Sequence, residues 1–222
     1  MAMNDSDPRT EHAANALRTE EIEQALAPDV DPAVWRRITE ALAARAAAED
    51  LLDVAVERHD SPFGPLLLAA TREGIVRLGF PEEEDGFLDE IARRVSGRVL
   101  RAPRPSLSDA RHQLDEYFAR ARTGFDVALD WRLTRGFRRD VLAVTAAIPY
   151  GQTASYGEVA ARAGSPRAAR AAGTALATNP LPILVPCHRV VRGTGVIGPY
   201  RGGTEAKRRL LALEAAGGAP GA

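Results

Sequence analysis

Two prolines frame the stretch that most constrains this chain: Leu181-Pro182-Ile183-Leu184-Val185-Pro186-Cys187-His188-Arg189-Val190-Val191. Its apolar centre predicts a buried strand over Ile183 to Val185. Pro186 ends that strand, because proline fixes φ and has no N–H to give to a ladder. Cys187 then falls at a strand-end turn, followed at once by an imidazole and a guanidinium. It is the only cysteine in 222 residues, so no intramolecular disulfide can form and a structural zinc site built on thiolates is excluded. On composition alone, a lone Cys in a Val/Leu/Ile run reads as inert core filling, since free Cys is among the most buried residue types. The tetrad Pro186-Cys187-His188-Arg189 argues otherwise. A core position gains nothing from His and Arg, whereas a nucleophilic thiolate is favoured by a neighbouring base and cation.

The remaining composition is that of an ordinary soluble globular protein, 45% hydrophobic and 27% charged, long enough for one large or two small domains. No apolar run reaches the roughly 18 to 20 residues of a membrane span. The first residues, with Asn4, Asp5, Asp7 and Glu11, lack the basic and apolar regions of a secretory signal. A cytoplasmic location is expected. The net charge of −1 hides an asymmetry: from Tyr150 onward nine Lys/Arg stand against three Asp/Glu, so this third carries +6 and the remainder −7. A basic module beside an acidic one fits contact with a polyanion on one side only.

Taken in order, residues 1–30 are polar with weak periodicity and are expected to be disordered, with at most a transient helix over Thr19 to Leu26. Asp31-Pro32 predicts a helix start, an N-cap with proline at the first helical position. That extra helix, in segment 31–50, should run to about Ala48 and bury the stripe Val34, Trp35, Ile38 and Leu42. Short β-like runs follow at Leu52 to Val56, Leu66 to Ala70 and Ile75 to Leu78, spaced as an antiparallel meander. Helical patterns come at Gly86 to Val95 and at Ser108 to Arg122, the latter with Ser108 as cap, and a last strand candidate at Phe125 to Trp131. Segment 51–134 therefore reads as an α/β domain, an antiparallel sheet with flanking helices. His59 and His112 stand apart from any cluster and read as surface or structural residues.

Segment 135–217 reads differently, as a mainly α domain, with 218–222 a tail. Phe137 to Ala147 predicts a helix ended by Ile148-Pro149-Tyr150-Gly151. Ser155 to Ala163 predicts a short helix, Gly164-Ser165 a tight turn, and Pro166 to Ala177 a second helix with Ser165 as cap. Two helices joined this way form a helix-turn-helix pattern. The second is built of Ala168, Ala169, Ala171, Ala172, Gly173 and Ala175, without the long polar side chains that read base edges. Such a smooth helix can enter a minor groove, although the same alanines also suit tight helix packing. Asn179-Pro180 predicts a turn, and Gly193 to Gly203 is a glycine-rich loop without the context of a phosphate-binding loop. On spacing alone Glu214 is a solvated helix charge.

Pro186-Cys187-His188-Arg189-Val190-Val191 resembles the active-site signature of the O6-alkylguanine-DNA alkyltransferases, strongly from about Arg135 to Glu214 and more loosely over Leu51 to Asp130. The resemblance implies an α/β N-terminal domain and a winged-helix-like helix-turn-helix domain. It implies direct reversal of DNA damage: a methyl or other alkyl group passes irreversibly from O6 of guanine, and on one reading O4 of thymine, to Cys187, once per molecule and without a cofactor or metal. The partner is double-stranded DNA carrying the lesion, bound through the minor groove by a monomer, with the damaged base flipped out because a thiol cannot reach it in the stack. Arg170 matches the arginine that fills the vacated stack, with Arg167 and Arg189 as further DNA contacts. Tyr156 matches the tyrosine that assists extrusion and donates to N3 of the guanine. His188, linked to the thiol through water, matches the base, and Glu214 the acid that orients it. Asn179 matches the residue bracing the turn. Tyr200 and the backbone N–H of Arg201 match the pocket, together with Leu176 and Val190. Two departures stand out: Arg135-Gly136-Phe137-Arg138 where relatives often show Thr-Pro-Phe-Gln, and Pro199 where they commonly have Gly or Asn.

Three other readings compete. A non-catalytic alkyltransferase-like damage binder lacks the nucleophilic cysteine, which is present here. A helix-turn-helix regulator is disfavoured by the small-residue helix. A thiol hydrolase leaves the DNA module unexplained.

Overall fold

The computed structural model describes residues 31–49, 51–193 and 197–216. The segment 1–30 with its transient helix, the tail 218–222 and the centre of the glycine-rich loop lie outside the described residues. Helix α1 spans Pro32–Ala48 and starts where Asp31 predicts: its carboxylate accepts from the Ala33 amide at 2.8 Å, a cap bond contributing about 1 kcal/mol. The expected burial fails at Val34, Ile38 and Leu42, which are 42%, 53% and 56% exposed; the Trp35 side chain lies outside the described residues, and among those described on this helix the buried one is Ala43. Close packing of this helix uses a methyl group, which hydrophobic spacing does not single out.

Strands β1 (Val54–His59), β2 (Leu66–Ala70) and β3 (Ile75–Gly79) form the expected antiparallel meander, with β1 starting two residues later than its apolar run. A fourth strand, β4 (Val99–Arg101), pairs parallel to β1 and gives the order β3-β2-β1-β4. Helices α2 (Glu84–Arg94) and α3 (Pro105–Phe118) cover opposite faces. Leu107, Leu114 and Tyr117 of α3 pack with Leu66, Leu68 and Ile75, while Phe87 and Ile91 of α2 pack with Val54, Leu67 and Val76. Burial on both faces is why β2 reads as an unbroken apolar run instead of alternating, while β3 interrupts its run with Arg77, itself 1% exposed. The start of α3 corrects the expected cap: Pro105 occupies the first turn after Arg104, where proline's missing N–H costs nothing. Phe125 to Trp131 does not become a strand. It touches β3 through one bridge, Leu129 to Ile75, and then Asp130 accepts from the Arg132 amide and starts a 3-10 turn over Trp131–Leu133.

The C-terminal part is helical: α4 (Gly136–Ala146), α5 (Tyr156–Arg162), α6 (Ala169–Ala177) and α7 (Gly203–Ala216). A capping box opens α5, with Glu158 N donating to Ser155 Oγ at 3.2 Å and Ser155 N to Glu158 Oε2 at 2.6 Å; Glu and Ser at this spacing satisfy two orphan amides. The turn to α6 needs Gly164, at φ 80°, a region closed to most side chains. Helix α6 starts three residues later than predicted. The Ala168 amide bonds back to Ser165 O at 2.9 Å, so Pro166 and Arg167 lie in the turn and not in the helix. Ala172, Ala175 and Leu176 face inward, and Arg170, Ala171 and Thr174 are exposed. The outer face of α6 is therefore low apart from Arg170. Among the described residues no helix is long and apolar enough to cross a membrane.

Candidate active site

Ile183, Leu184 and Val185 are buried as expected but not extended. Ile183 sits at φ 72°, and the amides of Leu184 and Val185 bond back to Pro182 O and Leu181 O at 2.9 and 2.8 Å. This is a tight turn, followed by one 3-10 turn over Cys187–Arg189. The prolines explain the correction: with Pro182 and Pro186 the run lacks two of the donors a strand would need. From the 3-10 turn, β6 (Val190–Val191) leaves to pair in parallel with β5 (Ala154–Ser155), tying the site to the start of the helix-turn-helix. Neighbours in a 3-10 turn diverge by about 120°, so His188 is no longer forced to the face opposite Cys187.

Asn179, fully buried, braces this turn. Its Oδ1 accepts from Leu181 N at 3.0 Å, and its Nδ2 donates to Val185 O at 2.9 Å and to the Cys187 sulfur at 3.1 Å. The sheet holds the same segment from the other side, with Leu78 N donating to Pro180 O at 2.8 Å.

His188 is fully buried, and its Nε2 lies 2.9 Å from Glu214 Oε1. A carboxylate only accepts, so Nε2 carries the proton and Nδ1 keeps the lone pair. Nδ1 is buried with no hydrogen-bond partner among the described residues. Glu214, on α7, is 2% exposed and is anything but a solvated charge. It accepts from Arg189 Nε at 3.1 and 3.0 Å, from the Gly151 amide at 3.0 Å and from the Tyr117 hydroxyl at 2.6 Å. Burial opposes its ionisation, but the bonds from His188 and Arg189 outweigh it and bring its pKa down to about 2. Burial pushes the His188 pKa down while Glu214 pulls it up. Arg189, expected at the DNA surface, is inside: 5% exposed, its guanidinium on Glu214 and on Ile148 O.

Cys187 is 3% exposed. Burial pushes its thiol up to about 11, against the Asn179 hydrogen bond and the Lys207 charge, which favour the thiolate. Lys207 was not anticipated. It is the single lysine among 29 basic residues, 1% exposed, with Nζ donating to Val190 O at 2.6 Å and lying 5.9 Å from the Tyr156 ring centroid. Burial holds its pKa below the usual lysine range, and the thiolate opposes that. Tyr117 was missed too, because it sits in the apolar stripe of α3 and looks like core. Tyr156 lies over the glycine-rich loop: a Cβ at Gly198 would come within 2.3 Å of its hydroxyl, so that position admits no side chain. Tyr200 is buried, its ring edge-on to His188 at 6.3 Å and its hydroxyl without a partner among the described residues. Val190 and Leu176 are buried beside this cluster. The Arg201 side chain turns away to Glu83 and Glu90. Arg167 and Arg170 are exposed in the turn and on α6, apart from the thiol.

Residues 136–216 match the family model of the 6-O-methylguanine DNA methyltransferase DNA-binding domain, and residues 56–131 that of the family's ribonuclease-like domain. The chain belongs to this methyltransferase family. The methylated-DNA–protein-cysteine methyltransferase of Mycobacterium tuberculosis is 43% identical over 156 residues, covering 70% of this chain and 88% of the relative. The constitutive enzyme of that name from Bacillus subtilis is 37% identical, over 70% and 92% of the two chains. Among solved structures, the M. tuberculosis O6-methylguanine methyltransferase superposes with a TM-score of 0.64 at 38% identity, covering 76% of this chain and 96% of that one. The M. tuberculosis protein in complex with DNA gives 0.61 at 39% identity, over 74% and 93%.

Proposed function

We propose that the protein repairs O6-alkylguanine in duplex DNA by moving the alkyl group onto Cys187, and that the residues around the sulfur divide the work. The observation that carries this is the setting of the chain's single thiol. It is almost wholly buried, held by the Asn179 amide and favoured as thiolate by the one lysine, beside an imidazole whose free nitrogen is Nδ1 and whose other nitrogen is fixed by Glu214. A thiol at about pKa 11 is ionised to about one part in ten thousand at pH 7, a cost of about 5 kcal/mol. The nucleophile therefore forms as it is used. The Cys187 proton passes to His188 Nδ1, directly or through one water, and the thiolate sulfur bonds to the alkyl carbon as the carbon–O6 bond breaks. The electron pair stays on the guanine, which takes a proton at N3 from the Tyr156 hydroxyl. Lys207 offsets the negative charge carried first by sulfur and then by Tyr156. Tyr117, Arg189 and the Gly151 amide position Glu214.

The duplex lies with its minor groove on α6, whose low outer face fits that groove, while Arg170 occupies the stack left by the flipped base. One copy of the chain acts on each lesion. Incubating the protein with duplex carrying a labelled O6-methyl group tests the reading. Covalent label on Cys187 supports it; binding without label would instead mark a damage-recognition protein.

A further inference from the structure

Away from Cys187, a cleft of about 470 Å³ opens beside the start of α4, lined by Arg94, Arg132, Arg135, Arg138 and Leu133. No carboxylate is among these residues. Arg94 and Arg132 have carboxylates behind them, Glu90 at 2.7 Å and Asp130 at 2.6 Å, but Glu90 is shared with Arg77 and Arg201. Arg135 is exposed and has no hydrogen-bond or ion-pair partner among the described residues. Arg138 gives one nitrogen to the Thr178 carbonyl, while its Nε is buried without a partner. Of the four guanidiniums, those of Arg135 and Arg138 have no carboxylate partner among the described residues, and one of the two carboxylates that pair the others is shared, so the cleft is net positive. Like charges gathered this closely repel, and planar guanidinium forks match phosphate oxygens. The place of the cleft narrows the ligand. Thr178 caps the C-terminal end of α6, so Arg138 joins the cleft to the end of that helix.

We infer that this cleft binds backbone phosphates of the same duplex, beyond the segment lying on α6. The inference rests on the reading of α6 as the DNA-contacting helix. Binding of the full chain to unmodified duplexes of about 10 and about 25 base pairs, measured from low to physiological salt, tests it, since each phosphate contact contributes about 0.9 to the slope of log affinity against log salt. Arg135→Ala should lower the slope by about 1 on the long duplex only, and Arg132→Ala with Arg135→Ala by about 2. Arg135→Lys, which keeps the charge, should restore it. Arg135 makes no side-chain contact whose loss threatens folding, so the single variant decides if the double one does not fold. An unchanged slope on the long duplex overturns the inference. So does an equal loss on both lengths, which would make the arginines part of helix docking itself. Transfer by the unsubstituted protein on lesion-bearing versions of the same duplexes separates the two readings: no transfer defeats the function, whereas normal transfer with unchanged slopes defeats only the cleft.

Discussion

Replacing Glu214 by Gln keeps the shape of the side chain and removes its charge, so it isolates what the carboxylate does. In the folded protein Glu214 titrates at about 2 against an ordinary value of 4.5. A depressed folded pKa stabilises the fold above the unfolded value and loses that contribution as pH falls through the folded one. The shift corresponds to about 3 kcal/mol, fully present above about pH 5 and fading toward pH 2. At neutral pH the variant leaves Arg189, 5% exposed, as a buried cation without its counter-charge, which costs about 3 to 5 kcal/mol. Urea unfolding of both proteins at a series of pH values from 7 down to 3 measures the gap directly. It should be about 3 kcal/mol or more at pH 7 and close as the carboxylate protonates. A gap below about 1 kcal/mol at pH 7, or one that stays constant down to pH 3, would refute the view of Glu214 as a buried ionised hub.

Other consequences are quicker to check. Tyr156→Phe should bind DNA normally and slow single-turnover transfer by about a hundredfold to ten-thousandfold, the usual worth of one general acid; an unchanged rate removes the hydroxyl from the reaction. Lys207→Met should raise the Cys187 pKa further and slow its alkylation by iodoacetamide at fixed pH, which a thiol-reactivity profile reads directly. Arg170→Ala should impair transfer on duplex far more than on a single-stranded substrate, since only the former needs the vacated stack filled. On α1, Leu42→Ser should change stability by less than about 0.5 kcal/mol, whereas Ala43→Leu should cost about 1 to 3 kcal/mol by overpacking; a comparison of melting temperatures checks both.

What could be read from the residues follows from which signals are local. The meander β1 to β3 was legible because each strand is an apolar run bounded by turn residues. The three-residue β4 carries no pattern, and its partner β1 is more than 40 residues away in sequence. On α1 the apolar residues Val34, Ile38 and Leu42 are exposed, because spacing alone does not decide burial. The turn at Ile183 was misread as a strand for a related reason: apolar burial and extended backbone are separate properties, and the two prolines bore only on the second. In the site, Cys187 and His188 were legible from one contiguous motif, and Asn179 from the Asn-Pro turn before it, its bracing role only through the resemblance. Glu214 was named only through the resemblance, since its spacing reads as a solvated charge; Tyr117 and Lys207 come to the site from two other helices, and nothing in α3 distinguishes Tyr117 from a core aromatic. The burial of Arg189 was equally hidden, since a guanidinium next to a nucleophile reads as an outward contact until its carboxylate partner is known.

The central claim is that Cys187 accepts one alkyl group and keeps it. The thioether formed has no leaving group that water could displace, so unlike an acyl-enzyme it is not hydrolysed. Titrating a known amount of protein with excess O6-methylguanine duplex, and mapping the modified peptide by mass, tests this most directly. The account predicts repair equal to the amount of protein and then none, with a single added methyl group located on Cys187 and no transfer by Cys187→Ser. Repair that continues past one methyl per chain, or a methyl group found on any other residue, would contradict it.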